Sequence, residues 1–195
     1  MSIVNLVPDA HASRLAEWTD AERAQPAELM AIPAWLGLGS NLGDRAAMLR
    51  QAVEAMRALP DVAVDRCSAV YETEPWGNSN QGPFLNCVVA VRTTRTAERL
   101  LDALLTIERA LGRVRAERNG PRSIDIDILL YGMQVIDRPG CTIPHPALTE
   151  RNFVLQPLRE LAATVTHPVH GVTIEELARR CPDTGIVAKT DIRIC

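Results

Sequence analysis

The chain has 195 residues, 47% hydrophobic and 23% charged, with a formal net charge of −3. That length suits one domain or a domain with a short appendage, and the composition excludes a chain disordered throughout. No run approaches the ~18 consecutive apolar residues of a membrane span, and Met1 is followed by neither the basic start nor the apolar core of a secretory signal, so a cytoplasmic protein away from membranes is expected.

Residues 1–33 carry five acids, two arginines and Pro8, Pro26 and Pro33, and read as an N-terminal extension with an alanine-rich middle. Ala34 to Gly39 predicts a short buried strand. Asn41 or Asp44 then caps a helix whose apolar face includes Leu49, Val53 and Met56, ending at Pro60-Asp61. Strands follow over Val62–Glu72 and Phe84–Thr93, around a long loop dense in turn residues. Such loops inside compact domains are usually functional or disordered. Thr96 to Leu111 predicts an amphipathic helix stopped by Gly112. An arginine-rich loop leads into a strand over Ser123–Tyr131 and a turn at Gly132, and Thr173 with Glu176 forms a capping box for a last short helix. This order of strand, helix, strand, strand, helix, strand predicts an α+β domain over 34–182: a ferredoxin-like three-layer αβα sandwich with a mainly antiparallel central sheet. Residues 183–195 are left as a C-terminal tail.

Five cysteines, at 67, 87, 141, 181 and 195, include no CxxC pair, which predicts reduced thiols rather than a zinc site or disulfide frame. Twenty of the 21 basic residues are arginine. The one lysine, Lys189, sits in Val-Ala-Lys-Thr, so neither a GxxxxGK[ST] phosphate loop nor the strand lysine of protein kinases is present. Any phosphate this chain handles meets arginine.

The densest chemistry lies in Ser123-Ile124-Asp125-Ile126-Asp127-Ile128. On a strand the isoleucines face one way and Asp125 with Asp127 the other, about 7 Å apart along it. Paired carboxylates repel, and magnesium bridging nucleotide phosphates would neutralise them. An amphipathic strand with its aspartates in water fits the pattern as well. Immediately before it, Arg109–Arg122 holds five arginines and one acid, and guanidinium forks suit phosphate oxygens. Phe84 and Asn86 share a strand face, where a ring and an amide can stack on and hydrogen-bond a flat heterocycle. His145, in Ile-Pro-His-Pro, is available to a phosphate. His167 and His170 have metal-like spacing but no third ligand nearby. Gly37-x-Gly39-x-x-x-Gly43 misses the dinucleotide fingerprint by one residue, and a strand rather than a helix follows the second strand.

Gly39-Ser40-Asn41-Leu42, Tyr71-Glu72-Thr73, Phe84-Leu85-Asn86, Gly112-Arg113-Val114-Arg115, the run from Arg118 to Asp127, Pro144-His145-Pro146 and Arg151-Asn152-Phe153-Val154-Leu155 occur in this order. Together they resemble the 6-hydroxymethyl-7,8-dihydropterin pyrophosphokinase family of folate synthesis, over about Ala34 to Arg180. The resemblance implies transfer of pyrophosphate from ATP to the pterin hydroxymethyl group, releasing AMP, with those two molecules as partners of a monomer. It implies two magnesium ions on Asp125 and Asp127. Phe84 and Phe153 would sandwich the pterin, whose edge Asn86 and the backbone near Thr73 and Trp76 would read. Glu108, Arg115, Arg118, His145 and Arg151 would surround the nucleotide, and Arg113 and Arg122 would assist transfer. Asn119 and Pro146 depart from aromatic residues common in the family. A nucleic-acid-binding module on the same topology lacks the ribonucleoprotein aromatic signature, and its Asp-x-Asp strand would repel phosphates. An inactive nucleotide-binding relative would not need the intact aspartates and arginines.

Overall fold

The structure, a computed structural model, describes residues 30–77, 80–113 and 120–195. The described strands and helices lie within Ile32–Cys195.

Strand β1 spans Ile32–Ser40 and begins two residues inside the stretch expected to be an extension. Helix α1, Arg45–Arg57, starts where Asp44 accepts a hydrogen bond from the Ala47 N–H at 2.9 Å, and it buries Leu49, Ala52, Val53 and Met56 on one face. Strands β2 (Val62–Cys67) and β3 (Tyr71–Thr73) run along the same edge of β4 (Phe84–Thr93), interrupted at 68–70. Helix α2, Ala97–Ala110, is capped by Thr96 and stopped at Gly112, whose φ of +79° favours glycine. Strand β5 (Asp125–Tyr131) completes the ferredoxin-like core. All pairings are antiparallel, in the order β5-β1-β4 followed by β2 and β3.

Alternation decides the two faces. Ile124, Ile126 and Ile128 are buried with Leu36, Leu38, Leu85 and Cys87 against the apolar faces of α1 and α2. The opposite face packs Val88, Leu129 and Leu130 against helices α3 (Asn152–Ala162) and α4 (Ile174–Arg180). That arrangement is the expected three-layer sandwich. Thr173 caps α4 as its sequence predicts.

Four features differ from the sequence reading or extend it. Helix α3 forms although Pro157 lies inside it. A two-stranded hairpin, β6 (Ile136–Arg138) with β7 (Cys141–Ile143), follows β5. The stretch read as a tail supplies β8 (Val187–Lys189), which pairs with β3 and extends the sheet. Finally, Cys67 and Cys195 are linked by a disulfide with Cα atoms 6.0 Å apart, against the expectation of five reduced thiols; Cys87, Cys141 and Cys181 are free. A pairing across 128 residues has no local signature, because only the path of the last strand brings Cys195 to β2.

Candidate active site

A cleft opens on the α3 face of the sheet, where β5, β1, β4 and β3 lie side by side. The register places Gly39 directly between Asp125 on β5 and Asn86 on β4, and Gly37 between Asp127 and Val88. The two glycines leave the middle of the floor without side chains. A Cβ at 39 would stand 2.8 Å from Asn86 Oδ1, and one at 37 would meet Leu129 at 3.2 Å. The glycines that almost matched a dinucleotide fingerprint therefore serve close approach across strands.

Asp125 and Asp127 both line this cleft, as their spacing predicts. Asp125 is the more enclosed. Its Oδ1 lies 2.6 Å from Arg113 Nη1, and its Oδ2 pairs with Arg122. Arg113 also pairs with Glu108, whose Oε1 accepts from the Ile126 N–H at 2.7 Å. Glu108 is only 2% exposed, and that burial raises its pKa, opposed by the Ile126 N–H and Arg113. It joins helix α2 to the carboxylate strand from beneath.

Asp127 is more open to the cleft, with a side-chain exposure of 45%. Desolvation by the cleft walls and the charge of Asp125 nevertheless hold its carboxyl well above the ordinary carboxylate range. His145 faces it, with Nε2 4.0 Å from Asp127 Oδ2. The imidazole Nδ1 accepts from the Ala147 N–H at 3.2 Å, which leaves the proton on Nε2. Burial and the nearby Arg151 charge push the His145 pKa down to about 4, so it meets the cleft as a neutral donor.

The aromatic residues occupy the same cleft. Phe84, Phe153 and Trp76 line it together with Thr73 and Asn86. Asn86 Nδ2 donates to Thr73 Oγ1 at 2.7 Å, which ties the amide to β3. The Arg151 guanidinium lies 4.5 Å from the Trp76 ring centroid and 5.8 Å from that of Phe153, while Arg122 lies 5.9 Å from that of Phe84. Arg151 Nε is buried without a hydrogen-bond partner among the described residues, a donor directed at neither backbone nor carboxylate. Arg115 and Arg118, and with them Asn119, lie outside the described residues.

Asn41 belongs to the site although its sequence context suggested a helix cap. Asp44 is the cap. The Asn41 amide instead donates to Gln81 Oε1 at 3.0 Å and to the Gly82 carbonyl at 3.3 Å, and accepts from the Arg122 N–H at 2.8 Å. It ties the β3–β4 loop to the residue that grips Asp125. The signal available was an asparagine flanked by strand and helix with a second carboxamide forty residues away, which no local pattern connects.

The donor set can be tested against magnesium. Among the described residues no group of three or more His, Cys, Asp or Glu side chains could hold a metal. A pair of hard oxygen ligands, one of them open to the cleft, is what magnesium accepts when phosphate oxygens and water complete its octahedron. The orphaned Arg151 donor and the guanidinium pair on Asp125 suit the same anionic company. The residues fit a metal that arrives with phosphate rather than a resident one.

Residues 35–163, more than half of the chain, match the family model described as 7,8-dihydro-6-hydroxymethylpterin-pyrophosphokinase (HPPK). A 2-amino-4-hydroxy-6-hydroxymethyldihydropteridine pyrophosphokinase of Methylorubrum extorquens is 49% identical over 154 residues, covering 78% of this chain and 96% of that protein. The protein of the same name from Bacillus subtilis is 43% identical over 132 residues, covering 68% of this chain and 79% of the relative. The fold is similar to the crystal structure of Plasmodium falciparum HPPK-DHPS wild type, with a TM-score of 0.61 at 16% identity. That match covers 78% of this chain and 46% of the solved chain, so the present chain spans less than half of that protein.

Proposed function

Because the chain belongs to the 7,8-dihydro-6-hydroxymethylpterin-pyrophosphokinase family, we propose that it transfers pyrophosphate from ATP to the hydroxymethyl group of 6-hydroxymethyl-7,8-dihydropterin, a step of folate biosynthesis. The observation that carries this reading is a juxtaposition. The paired carboxylates Asp125 and Asp127 share one cleft with three arginines, Arg113, Arg122 and Arg151, and with a slot lined by Phe84, Phe153 and Asn86. A triphosphate suits the first half of that cleft and a flat polar heterocycle suits the second.

In this reading Phe84 and Phe153 stack on the two pterin faces, and Asn86 reads the ring edge with its amide held by Thr73. Trp76 and the backbone near Thr73 close that end. Arg151 and His145 bind phosphate oxygens, His145 through its neutral Nε2–H, with Arg115 and Arg118 assigned to the same nucleotide. Glu108, buried beneath the floor, holds Arg113 and the start of β5 in place rather than reaching the nucleotide itself. Two magnesium ions held by Asp125 and Asp127 would screen the triphosphate charge and orient it for in-line attack. The pterin hydroxyl oxygen bonds the β-phosphorus as the bond from that phosphorus to the α–β bridging oxygen breaks. AMP leaves with the bridging oxygen, and the hydroxyl proton passes to solvent. Arg113 and Arg122 stabilise charge that develops on the transferring group, and the cleft supplies position, not a covalent nucleophile.

We place residues 1–33 outside this chemistry and the enzyme in the cytoplasm as a monomer; among the described residues no helix is long and apolar enough to cross a membrane. Incubation with ATP, magnesium and the pterin should yield AMP and the pterin diphosphate in equal amounts. Formation of ADP, or ATP consumption independent of the pterin, would contradict the assigned reaction.

A further inference from the structure

Helix α3 carries two of the assigned ligand contacts at its very start, Arg151 and Phe153, yet it begins without a cap of its own. Residue 151 occupies the cap position and its side chain makes no capping hydrogen bond. The first N–H groups of a helix have no partner inside it. Here the Asn152 N–H is met from 31 residues away, by Asp183 Oδ2 at 3.0 Å. The other carboxylate oxygen, Oδ1, accepts from the Gly185 N–H at 2.9 Å, which fixes the orientation of the carboxylate. Asp183 lies beyond the residues that the family model matches, 35–163.

The same C-terminal stretch holds the opposite wall. Strand β8 pairs with β3, setting Val187 across from Thr73, the hydrogen-bond partner of Asn86. A third contact ties the two walls together. Glu160 on α3 accepts from Tyr71 Oη of β3 at 2.6 Å and from Lys189 Nζ of β8 at 2.8 Å. Residues 183–189 therefore brace both the helix start that presents Phe153 and the strand that presents Thr73.

We propose that Asp183 is a positioning residue for the pterin and nucleotide contacts of Arg151 and Phe153, acting as a helix cap supplied from the C-terminal segment. The proposal rests on the pterin assignment of the cleft. A carboxylate there satisfies an orphan N–H and favours the positive end of the helix dipole, so its loss frays the first turn and moves the two side chains that this turn presents.

The test uses the full chain, with 6-hydroxymethyl-7,8-dihydropterin titrated by its fluorescence in the presence of magnesium and a non-hydrolysable ATP analogue. Amide exchange over 151–154 is measured on the same proteins without ligand. Asp183→Ala should weaken pterin binding about tenfold, the scale of losing one helix cap, and speed exchange at the start of α3 by a similar factor. Asp183→Asn keeps one acceptor oxygen for the Asn152 N–H but cannot also accept from Gly185, so it should fall between wild type and the alanine variant in both. Thr96→Ala, which uncaps α2 at its far end, should change neither. Asn152→Pro removes the donor itself at a position that tolerates proline, and in that background Asp183→Ala should add nothing, which keeps the claim testable if the single alanine variant folds poorly. Wild-type binding and exchange in Asp183→Ala, or equal damage in the alanine and asparagine variants, would overturn the proposal. A wild-type protein that binds no pterin and forms no AMP would refute the assigned reaction instead, and the exchange comparison would still decide the role of Asp183.

Discussion

Gly39 and Asn86 face each other across the β1–β4 ladder so closely that the smallest side chain at 39 would press on the Asn86 Oδ1 atom, 2.8 Å away. In the proposed reading the glycine is thus part of how the cleft takes a heterocycle, because it leaves room for the Asn86 amide beside Thr73.

Gly39→Ala should therefore displace the Asn86 amide and raise the pterin Kd by about tenfold, the scale of losing one buried hydrogen bond. Affinity for ATP should stay close to wild type. Gly37→Ala is the comparison: its Cβ meets only the flexible methyl groups of Leu129, at 3.2 and 3.4 Å, so its effect on pterin binding should be small. Equal pterin affinity in Gly39→Ala and wild type would show that the amide does not read the ligand.

Arg113 and Arg122 both grip Asp125, from opposite sides of the loop that joins α2 to β5. If they serve the transferring phosphate, their contribution is made mainly in the transition state. Arg113→Ala and Arg122→Ala should each slow single-turnover transfer at least ~100-fold, the usual scale of one oriented electrostatic donor. Arg122 also sits over the Phe84 ring, so its loss should weaken pterin binding as well, whereas loss of Arg113 should not. Unchanged single-turnover rates with weaker ATP binding would make the loop a phosphate dock instead.

His167, which shares metal-like spacing with His170, holds a turn. Its Nδ1 accepts from the N–H groups of Val169 and His170, each at 3.3 Å, and burial with the neighbouring His170 lowers its pKa to about 4. A histidine whose folded pKa lies below its ordinary value of 6.5 binds its proton more readily when unfolded. Stability from this residue is present above that ordinary value and is lost as pH falls toward about 4. Denaturation midpoints should decline across that window, and His167→Gln should flatten that part of the profile. An unchanged slope in the variant would assign the acid sensitivity elsewhere.

Much of the fold and part of the site is legible in the sequence, and particular residues show why. Alternation along Ile124–Ile128 gave both the core face and the carboxylate pair, since a strand has only two faces. Asp44, Thr96, Gly112 and Thr173 are local signals whose partners lie within three or four residues. Helix α3 carries Pro157 at its middle, a residue that normally breaks helices, and there the loss of one N–H is offset by Leu155, Leu158 and Ala162 entering the core. Strand β8 is three residues long and has a partner only because β3 offers an open edge. The roles of Asn41, Glu108 and Asp183 depend on groups brought together by the completed fold, and periodicity does not register such contacts.

The central claim is that Asp125 and Asp127 serve phosphate transfer while the aromatic slot binds pterin independently. The most direct measurement combines single-turnover formation of AMP with pterin binding in Asp127→Asn, the carboxylate that opens to the cleft and that no arginine among the described residues grips. A near-complete loss of transfer, at least ~1000-fold, with pterin affinity and thermal unfolding close to wild type is the expected result, since metal and phosphate positioning supply most of this chemistry. Transfer within a few-fold of the wild-type rate would remove the carboxylate pair, and the magnesium assigned to it, from the mechanism.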